Sequence, residues 1–237
     1  MRIILLSVLV VLVLGVVAGC RARAVPQYPA TIPAFHQGTE QRHERFNAFS
    51  KEGRAKLVFL GDSITQGWEN EGKDVWKTHF EKYDPANFGI GGDRTEHVLW
   101  RLDNGNFDGL SPKLVVLMIG TNNTGARKDP PEQTAAGIEA IIQRLRTKCP
   151  NSKVLLLAIF PRDANNDGPS RQLNNKINAL LPKLSNSNVR YRDIGHVFLT
   201  PTGELTKDIM PDLLHLSPKG YELWAKAIEG DVAEMMK

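Results

Sequence analysis

Short, almost continuously apolar runs alternate with longer amphipathic stretches from Lys56 to the end of the chain. Runs such as Leu114–Ile119 and Val154–Ile159 are typical of strands buried on both faces of a parallel sheet. The predicted strands are Lys56–Leu60, Asn87–Gly89, Leu114–Ile119, Val154–Ile159 and Val189–Asp193. The predicted helices lie near 73–82, 93–103, 131–147, 169–184 and 218–236. This alternation predicts an α/β protein with a parallel sheet.

The first twenty residues have a different pattern. Arg2 precedes an apolar run, Ile3–Ala18, that is broken only by Ser7 and Gly15. A run of this length is short for a spanning helix, which needs about 20 residues. A basic residue, then an apolar run, then small residues at the cleavage site is the pattern of an export signal. The alternative is an uncleaved anchor helix.

The segment between this signal and the first strand predicts a linker followed by a helix. Residues 20–38 contain Pro26, Pro29 and Pro33 without apolar periodicity, which favours an extended tether. Thr39–Lys51 then has a helical pattern that Gly53 ends. We therefore expect residues 1–19 to be a signal peptide, residues 20–38 a tether and residues 39–237 the folded domain.

The distribution of charge argues against a nucleic-acid-binding protein. The chain of 237 residues has a formal charge of +4. Residues 1–55 contain 7 basic and 3 acidic side chains, whereas residues 56–237 contain 23 of each. A nucleic-acid-binding domain carries its basic surplus on the folded part. Two cysteines, Cys20 and Cys149, are too few for a disulfide framework.

Polar residues follow the predicted strands at the edge where a parallel α/β sheet binds its ligands. They include Ser63, Asn122 and a glycine-rich turn that contains Gly92. An Asp212–His215 pair precedes the last helix. A nucleophile, a base held by an acid, and preplaced N–H donors are what an acyl-transfer site requires.

These residues stand in four blocks that resemble, in order, those of the SGNH (GDSL) esterases. The blocks are Gly61-Asp62-Ser63, Asn87–Asp93, Gly120–Asn123 and Asp212–His215. Asn87–Leu102 and Gly120–Asn123 look most like the catalytic subunits of intracellular platelet-activating-factor acetylhydrolase. The resemblance implies a three-layer α/β/α sandwich with a five-stranded parallel sheet of flavodoxin-like order. A nucleophile elbow would need glycine where Thr65 stands, which disfavours an α/β-hydrolase.

The resemblance also implies a role for each of these residues. Ser63 would be the nucleophile, His215 the base and Asp212 the group that orients His215. The main-chain N–H groups of Ser63 and Gly92 and the side-chain amide of Asn122 would form the oxyanion hole. The route would be a serine acyl-enzyme mechanism without metal or cofactor.

Other residues near these blocks suggest a short acyl group. Ile64 and Leu214 adjoin the catalytic positions and are expected to shorten the acyl pocket, which favours acetyl esters. Trp68 is either a core residue or a platform on which the substrate stacks. Asp62 is interpreted as a structural residue that holds the turn through main-chain hydrogen bonds.

Val17–Cys20 resembles the bacterial lipobox, which implies cleavage before Cys20 and diacylation of its thiol. Arg21 after the cysteine is similar to the outer-membrane class of Gram-negative lipoproteins. We therefore expect an exported lipoprotein of the bacterial cell envelope. Acetylhydrolase-like relatives can dimerise, so a homodimer is left open.

Two other interpretations of the same residues are weaker. Gly89–Arg94 has an arginine where a dinucleotide fingerprint needs its third glycine, and it follows the second strand. Asp93 and His97 lie four apart, as metal ligands on a helix can. A charge at a helix start and a polar helix face explain them more simply.

The expected function is hydrolysis of a short acyl ester of a carbohydrate or a lipid. A lysophospholipase or thioesterase with the same residues is the nearest alternative. A catalytically idle surface lipoprotein that binds acylated glycans is the alternative from another class. The alcohol portion of the ester stays open.

Overall fold

Five parallel strands form the centre of the molecule. The computed structural model describes residues 27–237. The strands are β1 (Leu57–Gly61), β2 (Pro85–Gly89), β3 (Leu114–Met118), β4 (Lys153–Leu157) and β5 (Val189–Arg192). Their order across the sheet is β2-β1-β3-β4-β5, and every neighbouring pair is parallel. The predicted strands are therefore present, with ends displaced by two residues at most.

Seven α-helices connect and cover these strands within residues 27–237. They are α1 (Glu40–Glu52), α2 (Ser63–Gln66), α3 (Lys73–His79), α4 (Thr95–Asp103), α5 (Pro131–Lys148), α6 (Pro169–Asn178) and α7 (Pro218–Met235). None of the helices in this part of the chain combines the length and the apolar character needed to cross a bilayer.

The side chains of the strands bury both faces of the sheet. On one face, Val58 and Leu117 belong to a core that includes residues of α1, α4, α5 and α6. On the other face, Phe59 and Val116 belong to a second core built mainly from α7 and a cluster of aromatic rings. The predicted three-layer α/β/α sandwich is thereby confirmed.

The strand order places the polar residues of the sequence at one edge. The chain passes from β1 to β2 on one side and then to β3 on the other side of β1. The connections on the two sides of β1 diverge there, which opens a crevice at the carboxyl ends of these strands. Ser63, the loop after β2 and Asn122 all follow the carboxyl ends that border this crevice.

One predicted helix is shorter than its pattern suggests. The expected helix over residues 169–184 ends at Asn178 and gives way to a short 3₁₀ turn, Leu181–Leu184. Pro182 stands at the start of that turn. A proline lacks the N–H and its ring crowds the preceding turn, so an α-helix does not continue through it.

The prediction of a tether for residues 20–38 is wrong where the structure describes that segment. Ala30 is fully buried, and its carbonyl accepts a hydrogen bond of 2.8 Å from Thr95 Oγ1. The main-chain N–H of Ala34 donates to the carbonyl of Glu96 over 3.1 Å. Apart from a short 3₁₀ helix, Pro29–Thr31, the described part of this segment has no helix or strand, and it nevertheless packs on α4.

Candidate active site

Ser63 lies at the turn between β1 and α2. The Asp62 carboxylate oxygen Oδ1 accepts the main-chain N–H of Ile64 over 3.0 Å and so caps α2. Ser63 is the first residue of this short helix and is half-buried. The loop after β2 lies against the same helix, since Gln66 Oε1 accepts the N–H of Gly91 over 2.7 Å. The position of Ser63 is thus fixed by the ends of two neighbouring strands.

The loop before α7 brings His215 and Asp212 to Ser63. The distance from Ser63 Oγ to His215 Nε2 is 2.9 Å, and the distance from His215 Nδ1 to Asp212 Oδ2 is 2.6 Å. Asp212 Oδ1 also accepts the main-chain N–H groups of Leu214 and His215. The three side chains predicted from sequence therefore form one hydrogen-bonded chain.

The electrostatics of this chain favour an ionised Asp212. Partial burial by itself raises the pKa of the Asp212 carboxyl, but the hydrogen bonds from His215 and Leu214 outweigh burial and hold that pKa below its ordinary value. An ionised carboxylate can only accept, so Nδ1 of His215 carries the proton of this contact. In the neutral imidazole, Nε2 is then the acceptor nitrogen and faces the hydroxyl of Ser63.

Gly92 lies in the loop after β2, and Asn122 lies in a short helical turn at the start of the loop after β3. Gly92 has φ +78°, a conformation that glycine adopts without strain. The Asn122 side-chain amide donates to the main-chain carbonyl of Asp93 over 2.9 Å. This bond uses one of the two amide hydrogens and ties the loop after β3 to the loop after β2. The other hydrogen has no partner among residues 27–237.

The structure does not support Ile64 as a residue of the acyl pocket. Its side chain is 1% exposed and belongs to the core on the α7 face, because α2 turns it away from the crevice. Leu214 is half-buried at the edge of the same core, and its role in the acyl pocket stays a prediction.

Trp68 is a core residue and not a platform for substrate. It is 1% exposed, and its ring packs against those of Tyr221 and Trp224 at centroid distances of 4.6 and 4.8 Å. The Tyr221 hydroxyl in turn donates to the carbonyl of Ile64 over 2.7 Å. This aromatic cluster supports α2 from below the site.

The buried pair Asp93–Arg101 has a place in the site that sequence reasoning missed. Asp93 is completely buried and Arg101 is 2% exposed. Arg101 Nε donates to Asp93 Oδ2 over 2.8 Å. The sequence placed Asp93 only at a helix start. A spacing of eight positions to Arg101 is not one at which side chains of the same helix meet, so the pair had no signal in the sequence.

His36 joins Asp93 and His97 to form a cluster of potential metal ligands. Their nitrogen and oxygen atoms lie within 4.8 Å of one another. The carboxylate of Asp93 is, however, paired with the Arg101 guanidinium, and His97 contacts Arg94 through both ring nitrogens. Two neighbouring guanidinium groups disfavour a divalent cation, so the residues fit a hydrogen-bond network better than a metal centre.

Comparison with known proteins agrees with the four blocks. Residues 59–223 match the model of the GDSL-like Lipase/Acylhydrolase family. The human platelet-activating factor acetylhydrolase IB subunit alpha2 is 36% identical over 219 residues, which cover 88% of this chain and 92% of the human protein. The bovine alpha1 subunit is 37% identical over 188 residues, 78% of each chain.

Solved structures have the same fold. A GDSL-like lipase from Bacteroides thetaiotaomicron superposes with a TM-score of 0.64 at 22% identity, over 82% of this chain and 97% of the lipase. Axe2, an acetylxylan esterase from Geobacillus stearothermophilus, gives 0.59 at 18% identity, over 76% and 94% of the two chains. With the family model matching most of its length, this chain belongs to the GDSL-like lipase/acylhydrolase family and is an ester hydrolase.

Proposed function

We propose that this ester hydrolase is a serine esterase that removes short acyl groups, acetyl above all, from a carbohydrate or a lipid. The observation that carries the proposal is the hydrogen-bonded chain from Ser63 Oγ through both ring nitrogens of His215 to Asp212. In this arrangement a hydroxyl becomes a nucleophile because an adjacent, correctly oriented base takes its proton.

The steps follow from the positions of these groups. Ser63 Oγ attacks the ester carbonyl while His215 Nε2 accepts the hydroxyl proton, and the imidazolium is stabilised by Asp212. His215 then donates that proton to the leaving alcohol oxygen, so the C–O bond breaks and an acyl-serine remains. Water, deprotonated by His215, attacks the acyl-serine, and the carboxylic acid leaves as Ser63 regains its proton.

The negative charge on the carbonyl oxygen needs donors that are in place before the reaction. We assign this role to the main-chain N–H groups of Ser63 and Gly92 and to the amide hydrogen of Asn122 that does not bond to Asp93. The left-handed conformation of Gly92 and the anchoring of Asn122 to the neighbouring loop support this assignment.

The acetyl preference rests on relatives of 36% and 37% identity that are named acetylhydrolases, and on Leu214 next to His215. A lysophospholipase or thioesterase would use the same residues but favour longer chains. Comparing acetyl with octanoyl esters of p-nitrophenol separates these activities. Faster turnover of the octanoyl ester contradicts the acetyl assignment.

The alternative of a catalytically idle glycan-binding lipoprotein is disfavoured by the same hydrogen-bonded chain. A binding protein gains nothing from a base aligned on a serine hydroxyl. Acetate release from a panel of acetylated glycans and an acetylated phospholipid would identify the alcohol portion of the ester.

The experiment that tests the proposal is the substitution Ser63→Ala in the full chain. We expect hydrolysis of p-nitrophenyl acetate to fall by roughly 10⁴-fold or more, the scale seen when a triad nucleophile is removed. The exposed Ser185 is a matched control, and Ser185→Ala should leave the rate unchanged. A Ser63→Ala variant that keeps near-wild-type turnover would refute the assignment of the nucleophile.

A further inference from the structure

The segment Tyr28–Thr39, here called the N-terminal segment, lies ahead of the region that matches the family model. It packs along α4. The carbonyl of Ala30 accepts a hydrogen bond from the Thr95 hydroxyl, and the N–H of Ala34 donates one to the carbonyl of Glu96. The ring of Phe35 lies 4.6 Å from that of Trp100. Its path along the first turns of α4 carries it to the loop after β2.

His36 is the residue of this segment that reaches the site. His36 Nδ1 lies 2.8 Å from Asp93 Oδ1, and the His36 ring stacks on His97 with centroids 4.4 Å apart. A Cβ atom on Gly92 would lie 3.2 Å from His36 Cε1. The imidazole therefore covers Gly92 and donates to the carboxylate of the next residue, while its side chain stays 25% exposed.

Asp93 connects His36 to several parts of the site. Its other carboxylate oxygen pairs with the Arg101 guanidinium, which also donates to the carbonyl of Phe88 on β2. Its main-chain carbonyl accepts the amide of Asn122. Asp93 therefore fixes the turn that contains Gly92, and its carbonyl also holds the side chain of Asn122.

We propose that His36 is a positioning residue for the oxyanion hole and that the N-terminal segment is thereby a working part of the active site. This inference rests on the proposed function. His36 holds the Asp93 oxygen that Arg101 does not bind, and Gly92 and Asn122 keep their places because Asp93 keeps its own. Without His36, the exposed turn at Gly92 loses the hydrogen bond and the ring contact that hold its solvent-facing side in place.

The test uses three substitutions at His36 in the full chain. His36→Ala removes the donor, and His36→Phe keeps a ring that can stack on His97 without a donor. We expect both to lower kcat for p-nitrophenyl acetate on the order of tenfold, as for one hydrogen bond to a charged group, with KM changed less than about twofold. His36→Asn offers an N–H near the position of Nδ1 and should recover most of the lost kcat.

His79 provides the matched control. It is a partly buried histidine that pairs with Glu222 and Glu229 on the α3–α7 surface, so His79→Ala should leave kcat unchanged. An unchanged kcat in His36→Ala and His36→Phe would overturn the proposal. A rise in KM alone would also overturn it, because that result describes a substrate contact.

A double-mutant cycle with Asn122→Ala tests whether His36 acts through the oxyanion hole. If it does, the His36→Ala effect shrinks below about threefold once Asn122 is gone, since the two residues act through the same loop. Equal effects in both backgrounds would contradict the mechanism. Failure of the proposed function itself is recognised separately, by Ser63→Ala keeping its activity.

Discussion

Asp62 is a carboxyl group that the fold buries completely beside Ser63. Oδ1 accepts the N–H of Ile64, whereas Oδ2 has no hydrogen-bond partner among the described residues. Burial disfavours the ionised form and raises the pKa of Asp62 to about 7. The predicted role in holding the turn agrees with the cap on α2. The burial that places Asp62 in this cap also disfavours ionisation of its carboxyl group.

Asp62→Asn tests this interpretation through the pH dependence of stability. Between about pH 4 and pH 7, folded Asp62 keeps a proton that the unfolded chain releases, so its contribution to the free energy of unfolding falls as the pH rises. The slope for one proton is at most about 1.4 kcal/mol per pH unit. Asparagine keeps the acceptor for Ile64 but cannot ionise.

We therefore expect wild-type stability to fall relative to that of Asp62→Asn as the pH rises from about 4 to 7, measured by urea unfolding. The exposed Asp167 supplies a control, since Asp167→Asn should show no such divergence. A constant difference between wild type and Asp62→Asn across this range would show that Asp62 is ionised in the folded state.

The grouping of Ser63, Asp212 and His215 was predictable at the scale of single residues because each residue follows a strand end or precedes the last helix in a recognisable block. Ile64 was misplaced because adjacency in sequence does not determine which way a short helix turns its side chains. His36 was missed because its partner, Asp93, is 57 positions away, and an isolated histidine in a proline-rich segment carries no local signal.

Close approach of α2 to β2 is the contact between elements on which the site geometry depends. A Cβ atom on Gly89 would collide with the main-chain nitrogen of Gln66. Asn87 reinforces the same contact by donating to the carbonyl of Thr65 over 2.9 Å. Ser63 can lie beside the loop after β2 because Gly89 has no side chain.

Gly89→Ala should therefore destabilise the protein by about 2–3 kcal/mol, at the upper end of what overpacking costs. The control is Gly230→Ala in α7, where an added Cβ meets nothing within 4 Å and alanine should stabilise the helix by about 1 kcal/mol. Both values are obtained from urea unfolding. Equal stability of Gly89→Ala and wild type would mean that α2 does not lie against β2 as described.

The strands were predictable at this scale because β3 and β4 are buried on both faces and their apolar runs are nearly continuous. Helix α2 could not be predicted, since four residues carry no periodicity. The predicted helix 169–184 was too long because the apolar spacing continues to Leu184. The observed helix ends at Asn178, ahead of Pro182.

At the scale of the whole molecule, the N-terminal segment connects the active site to the proposed anchor. Cys20 lies outside residues 27–237, so lipidation stays a proposal from sequence. Tyr28 is eight positions after Cys20, and an extended chain over eight positions spans at most about 29 Å. A lipid on Cys20 would therefore hold the N-terminal segment within about 30 Å of the bilayer.

The substitution Cys20→Ser tests this arrangement. Two acyl chains give a stable membrane attachment, so we expect the wild-type chain to sediment with membranes and to incorporate labelled palmitate, and Cys20→Ser to incorporate none. Ser63→Ala serves as a control that should sediment like wild type. Incorporation of labelled palmitate into Cys20→Ser would contradict lipidation at this cysteine.

The sequence indicated the layered architecture and the neutral charge balance of the folded domain. It did not show that the proline-rich segment packs on the domain, because packing of an irregular segment depends on main-chain hydrogen bonds such as Ala34 to Glu96. Those bonds have no signature in the pattern of apolar residues.

The central claim, that Ser63 is an activated nucleophile, is tested most directly by covalent labelling with a fluorophosphonate followed by peptide mapping. An activated serine attacks phosphorus and loses fluoride, whereas an ordinary serine hydroxyl does not react on the same time scale. We expect one adduct per chain, on the peptide that contains Ser63, and no adduct after His215→Ala. Absence of label on Ser63 in the wild-type protein, or labelling that is undiminished in His215→Ala, would contradict the account.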